Sequence, residues 1–146
     1  MPLLHDPAVS ASIQVRLARL TPASRPHWGK MSVSQMLWHV SQAMDTALGR
    51  LHLTDKKPPI PTAVIRFMVL KMPWTRNAPT SRHFIPSQDH DFNAELARCR
   101  QLIAEIAAQS VDHAPPDHPM FGQMTGKQQS RLHVKHLDHH LRQFGV

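Results

Sequence analysis

The chain has 146 residues, a formal net charge of +7 with histidine neutral, and an apolar fraction of 41%. This length corresponds to one domain, residues 1–146, and the apolar fraction excludes a chain that is disordered throughout. The 17 basic side chains are scattered and few aromatic residues accompany them, so the charge alone does not indicate specific nucleic-acid binding.

The cysteine content and the hydropathy pattern predict a soluble cytoplasmic protein. Cys99 is the single cysteine, which cannot form a disulfide within the chain and is typical of a reducing compartment. No basic segment followed by an apolar segment opens the sequence as a leader would. The longest apolar stretch, residues 61–73, contains Arg66 and Lys71 and is too short to cross a bilayer. We therefore expect no membrane partner.

Two helices are predicted in the first third of the chain. Apolar residues recur at helical spacing over residues 7–20, where Thr-Pro ends the pattern. A second helix is predicted over residues 33–48, because Ser32 and Gln35 have the spacing of a capping box. His39 lies beside the apolar stripe of this second helix, so we expect its ring to face the core.

A long connection follows, over residues 50–90. Residues 62–72 within it have the pattern of a short helix. A connection of this length is unusual unless it crosses a bundle or covers a site. Its remaining residues are marked by six prolines: Pro58, Pro59, Pro61, Pro73, Pro79 and Pro86.

The second half of the chain contains two more predicted helices. The third covers residues 91–109, and a proline-rich loop over residues 111–124 separates it from the fourth. Thr125 and Gln128 form another potential capping box at the start of the fourth helix, which continues to Phe144. No strand-like alternation and no internal repeat is present. The pattern therefore predicts an all-α four-helix bundle with a long crossover between helices 2 and 3.

The last fourteen residues contain four of the twelve histidines. On a helix, His136 and His140 lie one turn apart on the same face, where both imidazoles can reach one metal ion. His39 is the best candidate for a third ligand, because its helix packs in the same core. Three nitrogen ligands leave coordination positions for water or substrate, as in catalytic metal sites. The alternative is that these histidines are hydrogen-bonded core residues.

Further side chains are candidates for the pocket wall or for hydrogen bonds to the ligands. Gln143 lies on the histidine face and is placed to hydrogen-bond a ligand imidazole. His139 points about 100° away from His140 on a helix and is expected outside the ligand set. For Trp28, His118 and Phe121, packing or turn formation is the alternative role. His133 faces inward and either lines the pocket or supplies a further ligand.

These residues resemble the motif of a known superfamily. A histidine on the second helix, then His136-Leu-Asp-His-His140-Leu-Arg-Gln143 on the last, resembles the DinB/YfiT-like superfamily. The segments 28–32, 118–122 and 136–144 are similar to an uncharacterised branch of it, a domain of unknown function. The resemblance covers residues 16 to 146. What it implies is a four-helix bundle with a long crossover, in which His39, His136 and His140 bind a divalent metal.

The resemblance also implies partners. Zinc or nickel is the first expectation for the metal, with iron or manganese as alternatives, and a low-molecular-weight thiol is a candidate cosubstrate. Homodimers are common in the superfamily. The resemblance transfers no substrate and assigns no acid, base or nucleophile.

Three functional hypotheses follow. The first is a metal-dependent enzyme of the thiol S-transferase or hydrolase class, in which the metal activates a thiol or water toward a small-molecule substrate. The second is a non-catalytic bundle that binds a metal or a small ligand. The third is a basic nucleic-acid-binding module, which the scattered charges disfavour.

Overall fold

The computed structural model describes residues 1–146 and contains only helices and connecting loops. The all-α prediction is thus confirmed. A short 3₁₀ helix, Arg82–Phe84, lies between the third and fourth α-helices. The five α-helices are α1 (Pro7–Leu17), α2 (Val33–Ala47), α3 (Thr62–Lys71), α4 (Phe92–Ala108) and α5 (Gly126–Gln143). None of them is both long and apolar enough to cross a membrane.

The starts of α2 and α5 are fixed by local hydrogen bonds. Ser32 Oγ accepts from the backbone of Gln35, and the Gln35 side chain accepts from the backbone of Ser32 in return. Thr125 and Gln128 form the same reciprocal pair at α5. Both predicted capping boxes are therefore present, and each satisfies two donors that a helix start leaves unpaired.

The end of α1 differs from the prediction by three residues. The backbone N–H groups of Arg19 and Leu20 donate to Arg16 and Leu17, three residues back. The chain therefore turns in a tighter spiral after Leu17. Leu20 nevertheless remains buried, which explains why the apolar pattern extends past the α-helix itself.

The main core lies between α2 and α4, with α1 and α5 completing it. Leu37 of α2, Ile103 of α4 and Leu141 of α5 are at most 1% exposed. Each such side chain contributes about 1.5–3 kcal/mol by leaving water. The contact between α2 and α5 brings the histidine-bearing parts of the two helices together at one side of this core.

The connection between α2 and α4 is held by side chains of its own. Asp55 accepts hydrogen bonds from the Ser81 hydroxyl at 2.6 Å and the Arg82 N–H at 3.2 Å. Thr54 contacts His83 Nε2 at 2.9 Å. These bonds place Phe84, which is buried, directly against α2. The connection therefore covers the part of α2 that carries His39.

Lys135 of α5 holds the end of α3. Its ammonium group donates to the carbonyl oxygens of Val69 at 2.7 Å and Met72 at 2.5 Å. A cation at this end satisfies carbonyl groups that the helix leaves free and complements its dipole. The Trp74 indole N–H also donates to the Val69 carbonyl, at 2.8 Å. Lys135 and Val69 together position Trp74 against α5.

Candidate metal centre

Three histidines from two helices meet at the side where α2 faces α5. One ring nitrogen from each of His39, His136 and His140 lies within 4.8 Å of the others. The Nε2 atoms of His39 and His136 are 2.9 Å apart. The rings are separated by 4.7–4.9 Å between centroids. This three-histidine group can hold a metal ion.

Hydrogen bonds to the far ring nitrogens fix two of the tautomers. His39 Nδ1 lies 2.7 Å from the Phe84 carbonyl oxygen, which can only accept, so Nδ1 carries the proton. His140 Nδ1 lies 2.7 Å from Gln143 Oε1. Gln143 Nε2 donates to the Trp28 carbonyl at 2.8 Å, which fixes the orientation of the amide and makes Oε1 the acceptor. In both histidines the Nε2 atom therefore keeps its lone pair, which is free to bind a metal.

The electrostatics keep the three rings neutral. Burial lowers the pKa of His39, lowers that of His136 well below its ordinary value, and lowers that of His140 to about 3. Desolvation disfavours the charged imidazolium, and the neighbouring rings add like-charge repulsion. Neutral imidazole is the form that coordinates a metal. All three rings are thus in the neutral form that metal binding needs at neutral pH.

An aromatic entrance, which we define as Trp28, Trp74 and His139, borders the three histidines. The ring of His139 lies 5.8 Å from Trp28 and 5.7 Å from Trp74, between centroids. Trp74 also lies 5.6 Å from His136. His139 is not one of the three clustered ligands, but it borders the group. Helical spacing in the sequence could not predict the position of Trp74, because that residue belongs to the long connection.

Gly29 allows the loop before α2 to approach Gln143 closely. Its φ of +79° lies in the left-handed region, which other residues rarely adopt. A Cβ atom at this position would lie 2.7 Å from Gln143 Nε2. Gly29 therefore protects the hydrogen bond that connects Trp28, Gln143 and His140.

His133 lies beside a different space from the three clustered histidines. It is 2% exposed, and its Nε2 lies 3.3 Å from the Gln129 amide nitrogen. It lines a cavity of about 140 Å³ that also includes His5 and Ser130. Burial lowers the pKa of His133 to about 4. His133 lies one turn before His136, so helical spacing predicts that it shares the histidine face of α5. Its nearest partners nevertheless belong to this second cavity.

His118 and Phe121 form a structured turn before α5. Their rings stack at 4.1 Å, and His118 Nδ1 accepts from the backbone N–H groups of Met120 and Phe121 at 3.1 and 3.3 Å. The backbones of His118 and Gly122 are also paired. Burial lowers the pKa of His118 to about 4. These contacts account for both side chains without the three histidines.

Cys99 does not join the histidines. It lies in the main core with no exposed surface, and burial raises the pKa of its thiol to about 12. The thiolate is the nucleophilic form of cysteine. The chain therefore supplies no reactive sulfur of its own at this site.

The sequence matches a defined family over residues 7–145, and the chain belongs to it. The family's description reads "Protein of unknown function (DUF1569)". No curated protein and no solved structure matches the chain. The match agrees with the sequence-based placement in an uncharacterised domain family, and its description carries no activity.

Proposed function

We propose that this protein is a metal-dependent enzyme of the DinB/YfiT-like type, with His39, His136 and His140 as ligands of one divalent ion. The observation that carries the proposal is the convergence of three neutral imidazoles, two of them with their tautomers fixed for coordination through Nε2. In this proposal α1, α2, α4 and α5 are the four helices of the bundle, and the connection containing α3 is the crossover.

The ligand atoms limit the choice of metal ion. Three imidazoles without a carboxylate suit zinc or nickel first, with iron or manganese as alternatives. When bound, such an ion lowers the pKa of a bound water toward ~7 or holds a thiolate. Phe84 and Gln143 orient two of the ligands. Burial of the rings disfavours their protonation, which would compete with metal binding.

The nucleophile in this proposal comes from outside the chain. Cys99 is buried and its pKa is raised to about 12, so a water molecule or a diffusible low-molecular-weight thiol is required. Water corresponds to a hydrolase and a thiol to an S-transferase, in each case toward a small-molecule substrate. The cytoplasmic location predicted from the sequence and the homodimer implied by the resemblance remain part of this proposal.

A second candidate is a non-catalytic histidine cluster. The 2.9 Å between the Nε2 atoms of His39 and His136 is also a hydrogen-bond distance, with His136 as donor to the lone pair of His39. This arrangement needs no metal and gives a polar core contact between α2 and α5. A related variant binds a metal with every coordination position filled by protein.

Metal analysis separates the first candidate from the metal-free cluster. We expect the untagged protein, after incubation with zinc and extensive dialysis, to retain about one ion per chain. His140→Ala should lose it, because two ligands hold a metal weakly. His113→Ala, an exposed histidine outside the group, is the matched control and should retain the ion. Failure of the unsubstituted protein to bind zinc, nickel, iron or manganese contradicts the proposal.

Cobalt substitution tests for a reactive position on the metal. Addition of 2-mercaptoethanol to the cobalt-loaded protein should produce a sulfur-to-cobalt charge-transfer band, since three protein ligands leave room for a thiolate. An unchanged spectrum would indicate a closed coordination sphere and favour the non-catalytic candidate. Active preparations would then be assayed for thiol transfer and hydrolysis.

A further inference from the structure

Arg76 brings an uncommitted positive charge to the aromatic entrance. Its guanidinium carbon lies 4.9 Å from the centroid of the Trp28 ring. Arg76 is exposed and takes part in no ion pair. A guanidinium held over an indole keeps its planar set of donors available for a carboxylate or a similar oxyanion.

The surroundings of the entrance also favour an anion. Lys135 lies 5.3 Å from the centroid of Trp74, so each indole of the entrance has a cation beside it. Asp138, the acid adjacent to His139, is paired with Arg16 at 2.8 Å and Arg142 at 3.0 Å. The three clustered histidines add no negative charge. Positive charge around these side chains raises the local concentration of anions.

Trp28 contributes an unmet hydrogen-bond donor. Its Nε1 is buried and has no partner within the protein. Leaving such a donor unpaired in the folded protein is unfavourable. The other indole of the entrance, Trp74, has its N–H bound to Val69. A bound molecule whose acceptor reaches this atom would supply the hydrogen bond that the protein does not.

We propose that the substrate of this site is a small aromatic acid. Its ring contacts the indoles of Trp28 and Trp74, and its acidic group binds the guanidinium of Arg76. Indole rings favour contact with a planar ring, and a cation beside them selects a substituent of opposite charge. The inference rests on the proposed function in that the reacting part of the molecule would face the metal ion.

The test uses benzenesulfonate as the probe, because a sulfonate is a weak metal ligand, and neutral benzyl alcohol as its partner. Both are titrated into the zinc-loaded protein and followed through the indole N–H signals in NMR spectra. We expect benzenesulfonate to bind more tightly and to shift the Trp28 and Trp74 signals. Arg76→Ala should weaken benzenesulfonate binding about 10- to 100-fold and leave benzyl alcohol unchanged.

Two control variants sharpen the result. Arg19→Ala removes an exposed arginine that lies over neither indole and should leave both affinities unchanged. Arg76→Lys should recover part of the sulfonate affinity. Equal binding of the two probes, or sulfonate binding that Arg76→Ala does not weaken, would overturn the inference. The titration is repeated on metal-free protein. Loss of metal binding alone defeats the proposed function, while the preference for sulfonate in the metal-free protein still decides this inference.

Discussion

Gln143 uses both ends of its amide beside the three histidines. Its oxygen accepts from His140 and its nitrogen donates to the Trp28 carbonyl. The loop before α2 thus helps to orient a side chain on α5. Partners of this kind commonly change metal affinity by 10- to 100-fold when they are lost.

Gly29→Ala tests this connection without altering a ligand. The new Cβ would press on Gln143 Nε2, so we expect zinc affinity to fall about tenfold in a chelator competition assay. Gly49→Ala is the matched control, because Gly49 also has a positive φ, of +75°, but its Cβ would meet only Pro116 at 3.4 Å. Both variants carry backbone strain. An equal loss of affinity in the two would show that strain, and not Gln143, is responsible.

The sequence predicts a candidate ligand set more readily than the residues around it. His136 and His140 follow from helical spacing, and His39 follows from its position beside an apolar stripe. Trp74 and Arg76 do not follow from any period, because they lie in a connection whose path depends on tertiary contacts. The cavity beside His133 was not predictable either, since it is built from four separate segments of the chain.

Among the α-helices, α3 contacts the fewest others and is held at its end by a side chain of α5. It contacts only α5 among the other helices, no side chain caps its start, and Lys135 satisfies its last carbonyl groups. Its attachment in turn supports Trp74. A helix with so few contacts belongs to the less stable part of a fold.

Lys135→Met should therefore loosen α3 selectively. We expect the α3 amides to exchange hydrogen faster and the free energy of unfolding to fall by about 1 kcal/mol, because charge-assisted hydrogen bonds are lost while the apolar stem is kept. Hydrogen-exchange mass spectrometry and urea unfolding measure the two effects. Lys127→Met, at an exposed position on the same helix, should change neither. Unaltered exchange in α3 would contradict the capping role.

Helix starts were predictable and the crossover path was not. The capping boxes at Ser32 and Thr125 are local patterns with a fixed spacing, so the sequence alone contains them. The short helix predicted at residues 62–72 is present as α3. Prolines indicate that residues 50–90 are a connection, but they do not specify that Phe84 offers its carbonyl to His39.

At the scale of the whole molecule, buried neutral histidines make stability depend on acidity. Burial lowers the pKa of both His133 and His118 to about 4, whereas an unfolded histidine titrates near 6.5. Between these values the unfolded chain binds protons that the folded chain does not. The free energy of unfolding therefore falls as the pH decreases from about 6.5 to about 4, and the dependence that these two groups add fades out above pH 6.5.

His133→Leu isolates one part of this dependence. In metal-free protein, we expect its urea midpoint to vary less steeply between pH 6 and pH 4.5 than that of the unsubstituted chain. The difference is at most about 1.4 kcal/mol per pH unit for one proton. Neighbouring charges on His5 and His118 act in the same direction. His52→Ala, an exposed position, should keep the original slope. Parallel curves for the unsubstituted protein and His133→Leu would rule out this contribution.

Cys99 allows opening of the main core to be measured without a labelling site introduced by mutation. It is the only thiol, it has no exposed surface, and it lies on α4, in the core shared with α2. A thiol reagent can reach it only when this part of the core opens. The alkylation rate of the unsubstituted protein therefore measures how often this part of the core opens. The alkylation rates of the metal-free and metal-loaded forms then show in which form the core opens more often.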